Sequence, residues 1–123
     1  MAIKIMAQCR AAHAWKAAQQ AVFKGKEGGE AVKKVPTMII ENGLLGAMAF
    51  ALDKGVGYRK TFEELLDYHK SLRLQTAVTV EKWFEQLAKG SPEMLRITTA
   101  ECLAYLSYLR RFVKKDKQNG EEE

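Results

Sequence analysis

The chain has little that would build a strand. Proline and glycine punctuate it sparsely and strand signals are almost absent, so sandwiches, barrels and layered α/β folds find no support. Its two cysteines, Cys9 and Cys102, stand far apart with no CxxC between them. One disulfide is arithmetically possible, but isolated cysteines on apolar helix faces are expected to be reduced core residues. The glycine-rich stretch Gly25–Gly29 lacks a GKS/T ending and a preceding strand, which argues against a phosphate loop. No serine or cysteine sits in a nucleophile motif. The longest apolar run, Gly43–Leu52, is about half of what a bilayer span needs. Lys4, Gln8 and Arg10 interrupt the start, so no secretory leader is expected and the protein is expected in the cytoplasm, away from membranes.

What is present is a helical, basic chain. Its 123 residues are enough for one core, with 47% hydrophobic and 28% charged residues, a globular balance. The net charge of +5 includes the terminal Glu121–Glu123; without those three acids the body carries +8. Such a body suits a polyanionic partner, nucleic acid first. Residues 1–117 are expected to form the bundle domain and 118–123 a disordered acidic tail.

Helical spacing predicts a first helix over Ile3–Lys24, with Ile3, Ala7, Ala11, Ala14, Trp15, Ala18 and Val22 on its core face. Arg10, His13 and Lys16 fall on the opposite side. Gly25–Gly29 predicts a loop, Glu30–Lys34 a short turn, and Pro36 the first residue of a helix to about Lys54. That helix is apolar almost all round, which predicts a buried centre in which Asn42 is hydrogen-bonded and Gly43 and Gly46 admit another backbone. Thr61–Glu64 and Thr98–Glu101 have the form of capping boxes, and Ser91-Pro92 of a cap followed by a first-turn proline. Phe62, Leu65, Leu66, His69 and Leu72 make one apolar stripe, and Val80, Trp83, Phe84 and Leu87 another. The β-branched cluster from Thr76 to Val80 predicts a break between them. Cys102, Leu106, Leu109 and Val113 form the seam of the last helix. The expected fold is all-α: a single compact bundle of five to seven helices around a buried central helix.

Enzyme chemistry finds little footing. Cys9, His13, His69 and Cys102 could be counted as a four-ligand zinc set, but they are spread over three predicted helices. Glu63 and Asp67 share a helix face, as a metal-dependent nuclease requires, yet they fit a solvated face as well. No catalytic residue, metal or other cofactor is expected. Cations concentrate in two places: Arg10, Lys16, Lys24 and Lys26 near the first helix, and Arg110, Arg111, Lys114 and Lys115 on the last. The helix dipole explains Lys24, Lys114 and Lys115 without a ligand, but Arg110 and Arg111 suit bidentate phosphate contacts.

Val35-Pro-Thr-Met-Ile-Ile-Glu-Asn-Gly-Leu44, followed by Ala49-Phe50 and then Lys54, resembles the small helical subunit of the Cmr-type (type III-B) CRISPR effector complex. Thr99-Ala-Glu-Cys-Leu-Ala-Tyr-Leu-Ser-Tyr-Leu-Arg-Arg-Phe112 is similar to that family's terminal helix. Length and element order match too, so nearly the whole chain is covered. Leu45 and Gly46 stand where the family usually has glycine and glutamine, and Tyr108 where tryptophan is common. The resemblance implies a non-catalytic structural subunit in antiviral defence. Such subunits stack along an RNA-guided complex with other subunits and copies of themselves, and hold guide and target RNA through basic surfaces. Lys54 joins the eight clustered cations as an implied RNA contact. A free-standing helical nucleic-acid-binding module is the alternative, and an unrecognised metal-dependent nuclease a weaker one.

Overall fold

A computed structural model describes the backbone of residues 5–24, 26–54 and 56–122; the side chains at 21–22, 26–28 and 114–122 lie outside the described residues. Six helices follow in order: α1 (Met6–Ala18), α2 (Ala21–Lys24), α3 (Lys26–Lys54), α4 (Val56–Ser71), α5 (Val80–Lys89) and α6 (Pro92–Glu122). No strand occurs among the described residues. The all-α expectation holds, and α3 packs mainly on α4 and α6 while α1 lies along α6.

Local chemistry explains the best-formed ends. Thr79 caps α5 by accepting the Lys82 N–H at 3.2 Å, and Ser91 caps α6 by accepting the Met94 N–H at 3.1 Å, ahead of Pro92 in the first turn. Between α4 and α5 the chain breaks where the β-branched cluster predicts. Arg73 takes a left-handed φ of 61° and the Leu74 N–H closes the end of α4 on the His69 carbonyl at 2.9 Å. The seams behave as their spacing predicts: Phe62, Leu65, Leu66 and His69 on α4, Val80, Trp83 and Leu87 on α5, and Cys102, Leu106, Leu109 and Val113 on α6 are buried.

Other expectations are overturned. The first helix ends at Ala18, and its core face is Ala14, Ala17 and Ala18, with Trp15 57% exposed. Residues 27–29, expected in a loop, lie in the first turn of α3, and Pro36 sits inside that helix instead of opening one. Gly29 is buried, its Cα facing Val113 closely enough that an added methyl would meet it at 3.5 Å. Neither predicted capping box caps a helix. Thr61 lies within α4 and donates its hydroxyl to the Gly57 carbonyl at 3.0 Å, and Thr98, the cap of the second box, lies buried within α6, where its neighbour Thr99 donates to the Leu95 carbonyl at 2.7 Å. A threonine hydroxyl satisfies itself against the preceding turn as readily as it caps a following one, so the S/T-x-x-E pattern alone does not place a helix start. The final helix is one element from Pro92, where a short helix followed by a second one from Thr98 was expected.

The central helix is not buried all round. Val32, Val35, Ile39, Leu44, Ala47, Met48 and Ala51 face the core, whereas Ile40, Asn42, Gly43, Gly46 and Phe50 face outward. Gly29–Lys54 would pass as a membrane span on length and composition alone. Its helical geometry is interrupted at Gly43 (φ 81°, ψ 161°), however, and hydrocarbon tolerates such a break only where protein covers it. Nothing lies within 4 Å of a Cβ built on Gly43. The glycine is there for its positive φ and not for a close crossing, and Asn42 needs no buried partner because it is exposed. Gly43→Ala should therefore lower stability by roughly 1–2 kcal/mol despite the open space around it, read as a drop in the urea midpoint; an unchanged midpoint would show that the break tolerates a side chain.

Candidate functional site

Two groups of side chains where α1 and α2 meet α4 and α6 define what this surface can do: a polar seam that faces inward and a set of cations that face out. The seam is built on two carboxylates. Glu101 of α6 is 13% exposed and receives both Nε and Nη2 of Arg10 at 2.8 Å, while the Tyr68 hydroxyl of α4 donates to it at 2.6 Å. One helical turn further, Glu64 of α4 is 5% exposed, accepts the Tyr105 hydroxyl at 2.6 Å and meets His13 Nδ1 at 3.0 Å. The other nitrogen of His13 faces Asp67 at 3.3 Å. Tyr68 and Tyr105 stack with centroids 4.2 Å apart, and the His13 ring stands edge-on to both.

Arg10 and His13 are thus turned inward, opposite to the side on which a helical wheel places them. The wheel ranks faces by polarity and cannot know that the facing helices carry Glu101 and Glu64. The Arg10 guanidinium holds the Glu101 carboxyl below its usual range against the opposing effect of burial. Burial, followed by the neighbouring carboxylates, pushes both tyrosine hydroxyls well above the usual phenol range, so they serve as hydrogen-bond donors and not as acids. Hydrogen bonding to Glu64 raises His13 above its usual value in spite of partial burial.

The zinc set imagined from Cys9, His13, His69 and Cys102 is not brought together among the described residues. Cys102 is fully buried, its thiol raised by desolvation, and both cysteines are free. The carboxylates expected on a solvated face divide: Glu63 pairs with Arg59 and Lys60 at 3.3 Å, whereas Asp67 joins His13. His13, Glu64 and Asp67 place ligand-type atoms within 4.8 Å of one another. Each imidazole nitrogen already faces a carboxylate, so a protonated His13 is itself the cation that balances the pair.

Of the nine cations implied as RNA contacts, Arg10 is engaged with Glu101, and Lys54 is exposed beside Asp53 at 3.8 Å. Lys16, Lys24, Arg110 and Arg111 are exposed, with no ion-pair partner among the described residues. The side chains of Lys26, Lys114 and Lys115 lie outside the described residues. Contacts of Arg10 with Glu101, His13 with Tyr105 and Trp15 with Phe112 show that α1 runs parallel to α6. This packing brings the two basic stretches to one end of the helix pair, with Lys16 and Arg111 each next in sequence to a residue of the Trp15–Phe112 contact.

The family model for CRISPR-associated protein (Cas_Cmr5) matches residues 6–115. The chain belongs to the Cmr5 family. That membership makes it a subunit of the type III-B, Cmr-type CRISPR effector complex. Among solved structures, the X-ray crystal structure of a CRISPR-associated Cmr5 family protein from Thermus thermophilus is similar, with a TM-score of 0.76 at 19% identity, covering 92% of this chain and 97% of that one. At that identity the likeness carries the fold alone. A sequence search among curated proteins finds no match.

Two outcomes follow for this Cmr5-family seam. Glu101→Gln, which keeps the shape but removes the charge facing Arg10, should destabilise by about 1–3 kcal/mol in chemical denaturation; no change would mean that solvent already screens the pair. The raised His13 has a definite sign: its stabilisation is complete below the unfolded histidine value and is lost as pH rises through the folded one. Parent stability should therefore fall, as pH rises above the ordinary histidine value of about 6.5, by more than that of His13→Gln, with equal slopes showing that His13 is not charged in the fold.

Proposed function

We propose that this chain is a non-catalytic structural subunit that stacks along the type III-B ribonucleoprotein, beside other subunits and copies of itself. It acts in cytoplasmic antiviral defence, contacting the guide and target RNA backbone. One observation carries this reading. Lys16, Lys24, Arg110 and Arg111 are exposed and have no ion-pair partner among the described residues, on elements that pack together, whereas Arg10 and Arg59 are neutralised by carboxylates of the bundle. Cations held away from acidic partners keep their charge available to phosphates, which supply affinity without sequence preference. Lys54 is a secondary candidate, at the end of α3. The exposed Ile40, Phe50 and Trp15 support contact with further protein subunits.

The nuclease alternative draws only on His13, Glu64 and Asp67. A metal would have to displace the hydrogen bonds that Tyr105 and His13 make to Glu64, and the two tyrosines offer no proton near neutral pH. RNA cleavage by the purified chain with Mg²⁺, lost in Asp67→Ala, would favour it.

The RNA reading is tested by changing Lys16, Arg110 and Arg111 together to glutamate. Assembly on RNA should weaken to a similar degree for unrelated target sequences, and the log–log salt slope should flatten by roughly one unit per lost contact. Thermal stability should hold, because Cys102, Tyr105, Leu106 and Leu109 remain buried and unaltered. Equal affinity and slope for variant and parent would move the RNA face off these helices.

A further inference from the structure

Trp15 is 57% exposed on α1, and Phe112 of α6 stands perpendicular to it, the ring centroids 5.2 Å apart. Perpendicular rings let Phe112 shield at most one face of the indole, and an indole shielded on both faces would expose far less. A flat apolar face is thus presented at the surface. Its contact with Phe112 holds it in place beforehand, so it loses little freedom when a ligand arrives. Exposure alone would suit it to a protein partner, as it does Ile40 and Phe50. The charge around it decides otherwise.

No aspartate or glutamate occurs in α1, nor in α6 between Glu101 and Asp116. Lys16 follows Trp15 and Arg111 precedes Phe112, and both are exposed with no ion-pair partner among the described residues. Phe50 is the comparison within the same molecule. It is 40% exposed and stands edge-on to Tyr58 at 5.1 Å, a similar aromatic pair. The cations beside that pair are taken, however: Lys54 by Asp53, and Arg59 by Glu63 and Glu81. Of the exposed rings among the described residues, only Trp15 borders cations without an acidic partner. An open ring face next to uncompensated positive charge matches an unpaired nucleotide, whose base is a flat ring and whose phosphates are anions. A duplex matches it less well. Its bases are stacked on their neighbours, so it offers phosphates to the cations but no free face to the indole.

We propose that Trp15 stacks an unpaired RNA base while Lys16 and Arg111 hold the adjoining phosphates. The proposal rests on the RNA part of the proposed function and sharpens it. Phosphate contacts alone do not tell a single strand from a duplex, whereas a stacking ring does. This surface therefore takes nucleotides that are not base-paired, with little regard to which base they carry, because every base has a π-face.

The full chain tests this by fluorescence anisotropy with a short labelled oligoribonucleotide, presented as a single strand, as a duplex with its complement, and as an abasic strand with the same phosphates. The parent should bind the single strand more tightly than the other two. Trp15→Ala should weaken single-strand binding by roughly tenfold and leave duplex and abasic binding as they were. Its log–log salt line should shift in parallel with the parent's, since no phosphate contact is lost. Trp15→Phe, which keeps a ring against Phe112, should recover most of the loss. Lys16→Gln combined with Arg111→Gln should instead weaken binding of all three ligands and flatten the slope. Trp15→Ala binding the single strand like the parent overturns the proposal. So does an equal loss for single strand and duplex, which a merely structural role of Trp15 would give. Unchanged RNA affinity with failure of Trp15→Ala to join the reconstituted effector complex overturns it too, and makes Trp15 a protein contact. Those results leave phosphate binding standing, whereas a parent that binds none of the three ligands removes the RNA reading itself and the stacking with it.

Discussion

Two carboxylates inside a helical bundle set the terms for the rest of this molecule. A buried carboxylate is tolerated only when its oxygens are met by donors, and unmet ones cost several kcal/mol. Glu101 and Glu64 are met by Arg10, Tyr68, Tyr105 and His13, which come from α1, α4 and α6. Those three helices can therefore pack in one register only, because a shift of a single turn would leave both carboxylates without partners. Apolar seams such as Cys102, Leu106 and Leu109 would tolerate sliding better, since methyl groups are interchangeable contacts. The polar seam confers uniqueness, and the surrounding leucines and alanines confer most of the burial.

The same seam sorts the charges. Arg10 is drawn into the bundle by Glu101, and Arg59 bridges Glu63 and Glu81 across α4 and α5. Acidic residues are used up on these internal and near-surface pairs, while Lys16, Lys24, Arg110 and Arg111 are left facing water. A basic outer face on a Cmr5-family chain is thus a consequence of how the acids are placed and not of the net charge alone. Electrostatic attraction to a polyanion depends on that separation.

The segment that carries the family pattern has a different logic. Asn42 and Gly43 lie on the outside of α3, where the helix is interrupted, and Gly46 follows about one turn beyond them on the same open side. What Asn42-Gly43-Leu44 builds in this chain is a backbone turn: Gly43 supplies the positive φ, and Leu44 returns the chain to the core.

The sequence by itself determined the class of fold, the three apolar seams on α4, α5 and α6, the break before Val80 and the Ser91-Pro92 start of α6. All of these follow from periodicity and from the backbone chemistry of single residues, which need no partner to express them. Family membership was also legible, because Val35–Leu44 and Thr99–Phe112 are contiguous. The tertiary structure alone decided the rest. Whether Thr61 and Thr98 begin helices, whether Arg10 and His13 face inward, and whether Trp15 is core or surface depend on what the opposing helix presents, and a wheel drawn for one helix contains no information about another. A charged residue points to solvent unless a buried counter-charge awaits it, and Glu101 is brought to Arg10, as Glu64 is to His13, only when distant parts of the chain are folded together.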